Sequence, residues 1–284
     1  MRRELHNLRE ILLAAERSSR GGAAELCFQS SARKQTIGRL GVQMGRVCWA
    51  TARGQQRSLT DLVAAEAHCE RAVLDELFQS SRQSGEPFGE LLIRHGIMTP
   101  DAIRMALLGQ TLGALQALAA SWDADTDEVA PRSSPGVAYD QSFTSSALGL
   151  LERCAGQWLT SPALSSFASD RGGMGAEVGG ALLFACDGAR PPSPIASAGS
   201  ASELDLETAV AVGRCAQSLV RAPALQVAGV QAFAVVAHDE GEGILARVTE
   251  LGLEAYLVAD RAQCVSALAT VWAERHASTR SVHG

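Results

Sequence analysis

The chain has 284 residues, 46% of them hydrophobic, and a net charge of −6; this length suggests about two domains, each able to bury a core. Up to Trp122 there are 15 basic and 12 acidic residues, and beyond it 10 and 19. That small basic surplus falls short of the clustered basic face that holds nucleic acid, so no nucleic-acid partner is expected.

The basic residues are almost all arginine, with Lys34 the sole lysine. Cysteines at 27, 48, 69, 154, 186, 215 and 264 are odd in number and show no C-x-x-C spacing. They read as reduced, buried small hydrophobes, neither a disulfide framework nor a metal site. Charges interrupt the first turns, Met1-Arg2-Arg3-Glu4-Leu5-His6, and no run reaches the roughly 18 apolar residues of a membrane span. A cytoplasmic protein without cofactor or metal is expected.

In chain order, Leu8, Ile11, Leu12 and Ala15 recur at helical spacing, and Glu25 to Gln29 and Ile37 to Thr51 read as strands. Gly41 and Gly45 break the second stretch and place a hairpin or bulge there. From Ser58 the period is helical again. Ser58 with Asp61 offers an N-cap, and Leu59, Leu62, Val63, Val73, Leu74 and Leu77 form an apolar stripe on one bent helix or two. Thr99-Pro100-Asp101 opens a further helix, with a capping hydroxyl, proline at the first helical position and a carboxylate in the first turn. It is expected to run to about Ala120.

Trp122 to Gln141 carries Asp123, Asp125, Asp127 and Glu128, then Pro131, Ser133, Ser134, Pro135 and Gly136, and reads as a flexible linker. Its D-x-D-x-D spacing suggests a calcium loop. Glu128 and Ser134, however, stand where an EF-hand needs glycine and a bidentate glutamate.

Gly38-Arg39-Leu40-Gly41-Val42 followed by Gly45-Arg46-Val47-Cys48-Trp49-Ala50 resembles the hairpin of PATAN-type domains of bacterial signalling proteins. Gly89-Glu90-Leu91-Leu92-Ile93 with Gly96-Ile97-Met98-Thr99-Pro100-Asp101 is similar to the helical hairpin that accompanies them. The resemblance covers roughly residues 5 to 115 and implies a module binding other signalling proteins.

In the second half, Ala147, Leu148, Leu151, Cys154, Trp158 and Leu159 form a helical stripe ending near Pro162. A glycine-rich loop, Gly172 to Gly180, leads to the strand Ala181 to Ala185, closed by Asp187-Gly188, with Pro194 to Ala198 as its partner. Leu206 to Val220 reads as an amphipathic helix stopped by Pro223. Strands follow at Val230 to Ala237, Ile244 to Val248 and Leu253 to Val258, and Asp260 with Gln263 caps a last helix.

This order, α-β-β-α-β-β-β-α, resembles the roadblock/dynein light chain domain. Ala181 to Gly188 followed by Pro194-Ile195-Ala196-Ser197-Ala198-Gly199 looks like that family's first hairpin, with extra prolines between Ala189 and Ser193. The expected fold is α+β in two domains: 1–122, a small sheet plus a helical hairpin; a linker, 123–142; and 143–284, helices on an antiparallel sheet.

Enzymatic signatures are lacking. A single lysine leaves no phosphate-binding P-loop, the glycines of Gly173 to Gly179 are wrongly spaced for a dinucleotide fingerprint, and there is no G-x-S-x-G or H-E-x-x-H. His238-Asp239-Glu240 with Glu242 has the donors of a metal or acid/base site, but a solvated turn is the plainer reading. Cys48 and Cys186 lie on strand patterns, where packing is plainer than thiolate chemistry.

The roadblock resemblance implies a homodimer that regulates a small Ras-like GTPase; the alternative is a structural adaptor in a signalling, motility or secretion complex. It also implies a dimer or partner interface on the Leu206 to Val220 helix and the Val230 to Ala237 strand: Leu206, Val210, Gly213, Arg214, Gln217, Arg221, Phe233 and Val235. Any stimulation of a GTPase is expected to work by positioning the partner's own residues, with Arg171 and Arg190, both in loops, the exceptions to test.

Overall fold

The computed structural model describes residues 2–18, 22–32, 34–67, 69–84, 86, 88–133, 139–158, 180–186, 190–220, 233–238, 241–250 and 253–259. The protein is mixed α+β, with seven α-helices among these residues and two five-stranded antiparallel sheets. It divides into two compact units, residues 14–146 and residues 1–13 with 147–284. This corrects the expected boundaries. The first helix, α1 (Arg2–Ser18), is shared between the units, and the stretch taken for a linker belongs to the first of them.

In the 14–146 unit, β1 (Ala24–Ser30), β2 (Gln35–Gln43) and β3 (Arg46–Ala52) form a meander, with Leu26 opposite Leu40 and Leu40 opposite Ala50. Gln43 pairs with Arg46, leaving Met44 and Gly45 as a two-residue turn with φ of 50° and 73°. Two positive φ values give the turn the twist of its flanking strands, which is why a glycine falls there.

Four helices follow: α2 (Leu59–Ala67), α3 (Arg71–Ser84), α4 (Phe88–Arg94) and α5 (Pro100–Ser121). The Ser58 to Leu77 stripe is therefore two helices. Ser58 N donates to Asp61 Oδ2 at 2.8 Å, and Asp61 N to Ser58 Oγ at 3.3 Å, closing a reciprocal cap. Thr99 Oγ1 accepts from Ala102 N at 3.2 Å, as the Thr-Pro-Asp signal predicts. The helices share a core of Val63, Leu74, Leu92, Met98, Ile103 and Ala106. α5 packs on β3, where Gln110 Nε2 donates to Ala50 O at 3.3 Å, and Trp122 beyond its end meets Phe28 edge-on with centroids 5.4 Å apart.

After α5 the chain returns to the sheet. β4 (Glu128–Ser133) pairs with β1, and β5 (Ser145–Ser146) with β3, giving the order β4-β1-β2-β3-β5. Pro131 is tolerated because β4 is an edge strand, where a missing N–H costs no ladder bond. Residues 134–138 of the expected linker lie outside the described residues.

The second unit contains α6 (Ala147–Trp158), β6 (Gly180–Cys186), β7 (Ser193–Gly199), α7 (Leu206–Val220), β8 (Phe233–His238), β9 (Gly241–Glu250) and β10 (Leu253–Ala259). Each of these described elements overlaps a helix or strand expected from the sequence, and the expected last helix lies outside the described residues. The sheet order is β7-β6-β10-β9-β8. Prolines at 191, 192 and 194 thus fall on or just before an edge strand, β7, as their chemistry requires. α6 and α7 both pack on β7.

Candidate partner-binding surface

Asp205 caps α7, its Oδ1 accepting from Thr208 N at 2.6 Å. Leu206, Ala209, Val210 and Gly213 then follow at helical spacing and turn inward, with Leu206 and Ala209 0% and Val210 3% exposed. At Gly213 the helix lies so close to the sheet that a Cβ would stand 2.7 Å from Phe184 Cε1 and 3.1 Å from Pro192 Cβ. Leu206, Val210 and Gly213, expected at an interface, are therefore part of this unit's own core. The apolar stripe of an amphipathic helix has one face to give, and here the sheet takes it.

On the outer side of the helix Arg214 is exposed and Gln217 half-buried. Arg221 lies outside the described residues. Phe233 and Val235 are on β8, which among the described residues stands at the end of the sheet, opposite Ala246 and Ile244 of β9. A strand in that position presents one row of backbone N–H and C=O groups to whatever approaches. Of the eight residues expected to meet a partner, Arg214 and Gln217 lie on the accessible side of α7.

A feature not legible as functional in the sequence lies beside this surface. Arg9 on α1 is 1% exposed, and its guanidinium bonds to Glu10 Oε1 at 2.8 and 3.0 Å, to Ser193 Oγ at 3.2 Å, to His6 Nδ1 at 2.8 Å and to Pro191 O. Burial pushes its pKa down; Glu10 draws it up, and Arg214 and Arg190 add to the lowering. Three arginines from three segments thus converge where the chain enters β7. The signal in the sequence was a charge on the apolar stripe of α1, since Arg9 directly follows Leu8 and precedes Leu12 by three residues.

The chemistry elsewhere is quiet. Burial pushes the Cys48 thiol up to about 11 and that of Cys154 up to about 12, so both stay protonated near neutral pH. Among the described residues no group of His, Cys, Asp and Glu side chains is placed to hold a metal ion. His238 pairs with Gly241 and Ala237 with Glu242 at the closing end of the β8–β9 hairpin, while Asp239 and Glu240 lie outside the described residues. In the D-x-D-x-D stretch the carboxylates serve the backbone: Asp127 Oδ1 accepts from Ser31 N at 2.8 Å and its Oδ2 from Asp123 N at 3.0 Å, and Asp123 Oδ1 accepts from Asp125 N at 3.1 Å. No helix among the described residues is long and apolar enough to cross a membrane. Compared with family models, curated proteins and solved structures, the chain matches none.

Proposed function

We propose that this chain is a regulatory binding protein, a homodimer whose second unit is roadblock-like and serves a small Ras-like GTPase as regulator or scaffold. The observation that carries the reading is the first hairpin of that unit. The segments matching the family's pattern, Ala181 to Cys186 and Pro194 to Gly199, are paired in β6 and β7, with Ala181 opposite Ala198 and Leu183 opposite Ala196. Around them the described residues run α6-β6-β7-α7-β8-β9-β10. β8, at the end of the sheet among the described residues, and Arg214 and Gln217 on the outer side of α7 supply surface for a copy or a partner.

The test is affinity capture with the full-length chain from its native host, with and without a non-hydrolysable GTP analogue. Nucleotide-dependent recovery of a small GTPase supports the reading. Recovery of a stable set of proteins that ignores the nucleotide favours an adaptor instead. Light scattering that finds a monomer at tens of micromolar removes the dimer.

A further inference from the structure

We propose that His6 is an acid-sensitive latch, whose protonation undocks the first turns of α1 from the entry to β7.

A guanidinium has hydrogen-bond donors and no acceptor. At 2.8 Å from Arg9 Nη2, His6 Nδ1 can therefore only accept, and the imidazole must be neutral with its proton on Nε2. His6 is 9% exposed and Arg9 1%, so water does little to screen the pair. Protonating Nδ1 would set N–H against N–H and add a cation to a buried site that already holds one.

Arg9, the partner of His6, stands among other charges. Glu10, on α1 itself, is the carboxylate bonded to Arg9; Arg190, just before β7, and Arg214, on α7, bear on Arg9 as further cations. The bonds at stake fasten α1 directly, because the same guanidinium that holds His6 reaches Ser193 Oγ and Pro191 O. When His6 becomes a cation, Arg9 cannot keep all these partners, and the residues it anchors come away.

The sign follows from the neutral form being the docked one. Docking is complete above the ordinary imidazole value of about 6.5 and weakens as pH falls below it. Linkage to one proton lets the docking equilibrium fall by up to about tenfold per pH unit.

The experiment is hydrogen exchange on the full-length chain across this range, corrected for intrinsic exchange, comparing wild type with His6→Gln. Glutamine offers Arg9 an acceptor and does not titrate. Amides of α1 up to Leu13 should lose protection in wild type below about pH 6.5, by up to about tenfold per unit, while those of α5 do not. His6→Gln should hold its protection flat. A flat wild-type profile, or an equal loss in His6→Gln, overturns the proposal. Nitrogen NMR of His6 in wild type gives an independent reading near pH 7.5: an unprotonated Nδ1 supports the latch, and a proton on Nδ1 overturns it whatever the variant does.

Discussion

Gly213 and Phe184 are in contact through the absence of a side chain: a Cβ at position 213 would stand 2.7 Å from Phe184 Cε1, closer than real Cβ contacts come, and the ring is itself 0% exposed. In an open helix, Gly→Ala is worth up to about 1 kcal/mol of added stability. Here the ring has nowhere to go, and overpacking costs about 1–3 kcal/mol. Gly213→Ala is therefore expected to lower the melting temperature of the full-length chain. A melting temperature that is unchanged or higher would show that α7 rests further from β6 than this.

Arg9 gives a second expectation. Breaking a fully buried ion pair costs about 3–5 kcal/mol. The Glu10 side chain, however, is 32% exposed and can be rehydrated. Arg9→Ala should therefore cost less, about 1–3 kcal/mol, mostly through the partners it leaves unmet at His6, Ser193 and Pro191. A fragment of residues 143–284 lacks this side chain altogether and should be less stable than the same unit in the full chain. Denaturant unfolding of the chain, the variant and the fragment checks both statements; equal midpoints would count against them.

The local signals in the sequence were good guides where a few neighbouring residues decide the outcome. Gly45 places the β2–β3 turn, Thr99-Pro100-Asp101 starts α5, and Ser58 with Asp61 caps α2, because each rests on geometry within a few residues. What failed depends on distant partners. Acidic residues and Pro131 read as a linker, yet an edge strand accepts both, and only the pairing with β1 shows that β4 exists. The same limit hid the membership of residues 1–13 in the second unit. Leu206, Val210 and Gly213 were placed at an interface because periodicity shows that a helix has an apolar face without showing what covers it.

Cys48 and Cys154 are expected to resist alkylation in the native chain at pH 8, with thiols raised by burial to about 11 and about 12. Cys215, exposed on α7, should be labelled first, and Cys69 next. Because the folded state holds these two buried thiols protonated, their contribution to stability is full below the unfolded value of about 8.5 and declines as pH rises through the folded one. Mass spectrometry after brief iodoacetamide treatment decides the matter. Labelling of Cys48 as fast as Cys215 would mean that β3 opens readily or that the thiol is activated.

Asp61 should behave in the opposite sense. Its carboxylate accepts from the Ser58 hydroxyl at 2.6 Å and from Ser58 N at 2.8 Å, and pairs with Arg71, which together hold it down at about 2. A depressed carboxyl lends stability above its unfolded value of about 3.9, and this is lost as pH falls toward the folded one. Carboxyl NMR titration of Ser58→Ala should move Asp61 back up toward the ordinary range. An unchanged titration would show that Ser58 does not hold it.

The segment after α5 should be protected from proteases, contrary to what its composition suggests. Asp127 fastens one end, accepting from Ser31 N and Asp123 N, and Ser31 Oγ returns a bond to Thr126 O at 2.7 Å. β4 then pairs along β1, with Arg132 opposite Glu25. At the other end Trp49 Nε1 donates to Tyr139 Oη at 2.8 Å, Tyr139 N donates to Gln43 Oε1 at 2.8 Å, and Arg46 reaches Thr144 Oγ1 at 2.6 Å and its carbonyl at 2.8 Å. Cleavage by a protease requires local opening, so its rate follows the free energy of these bonds. Trypsin is expected to spare Arg132 in the native chain, and Asp127→Ala, at a loss of about 1 kcal/mol, should speed the cut about fivefold. Rapid cleavage after Arg132 in wild type would mean that β4 is not held on the sheet and that the stretch is a linker after all.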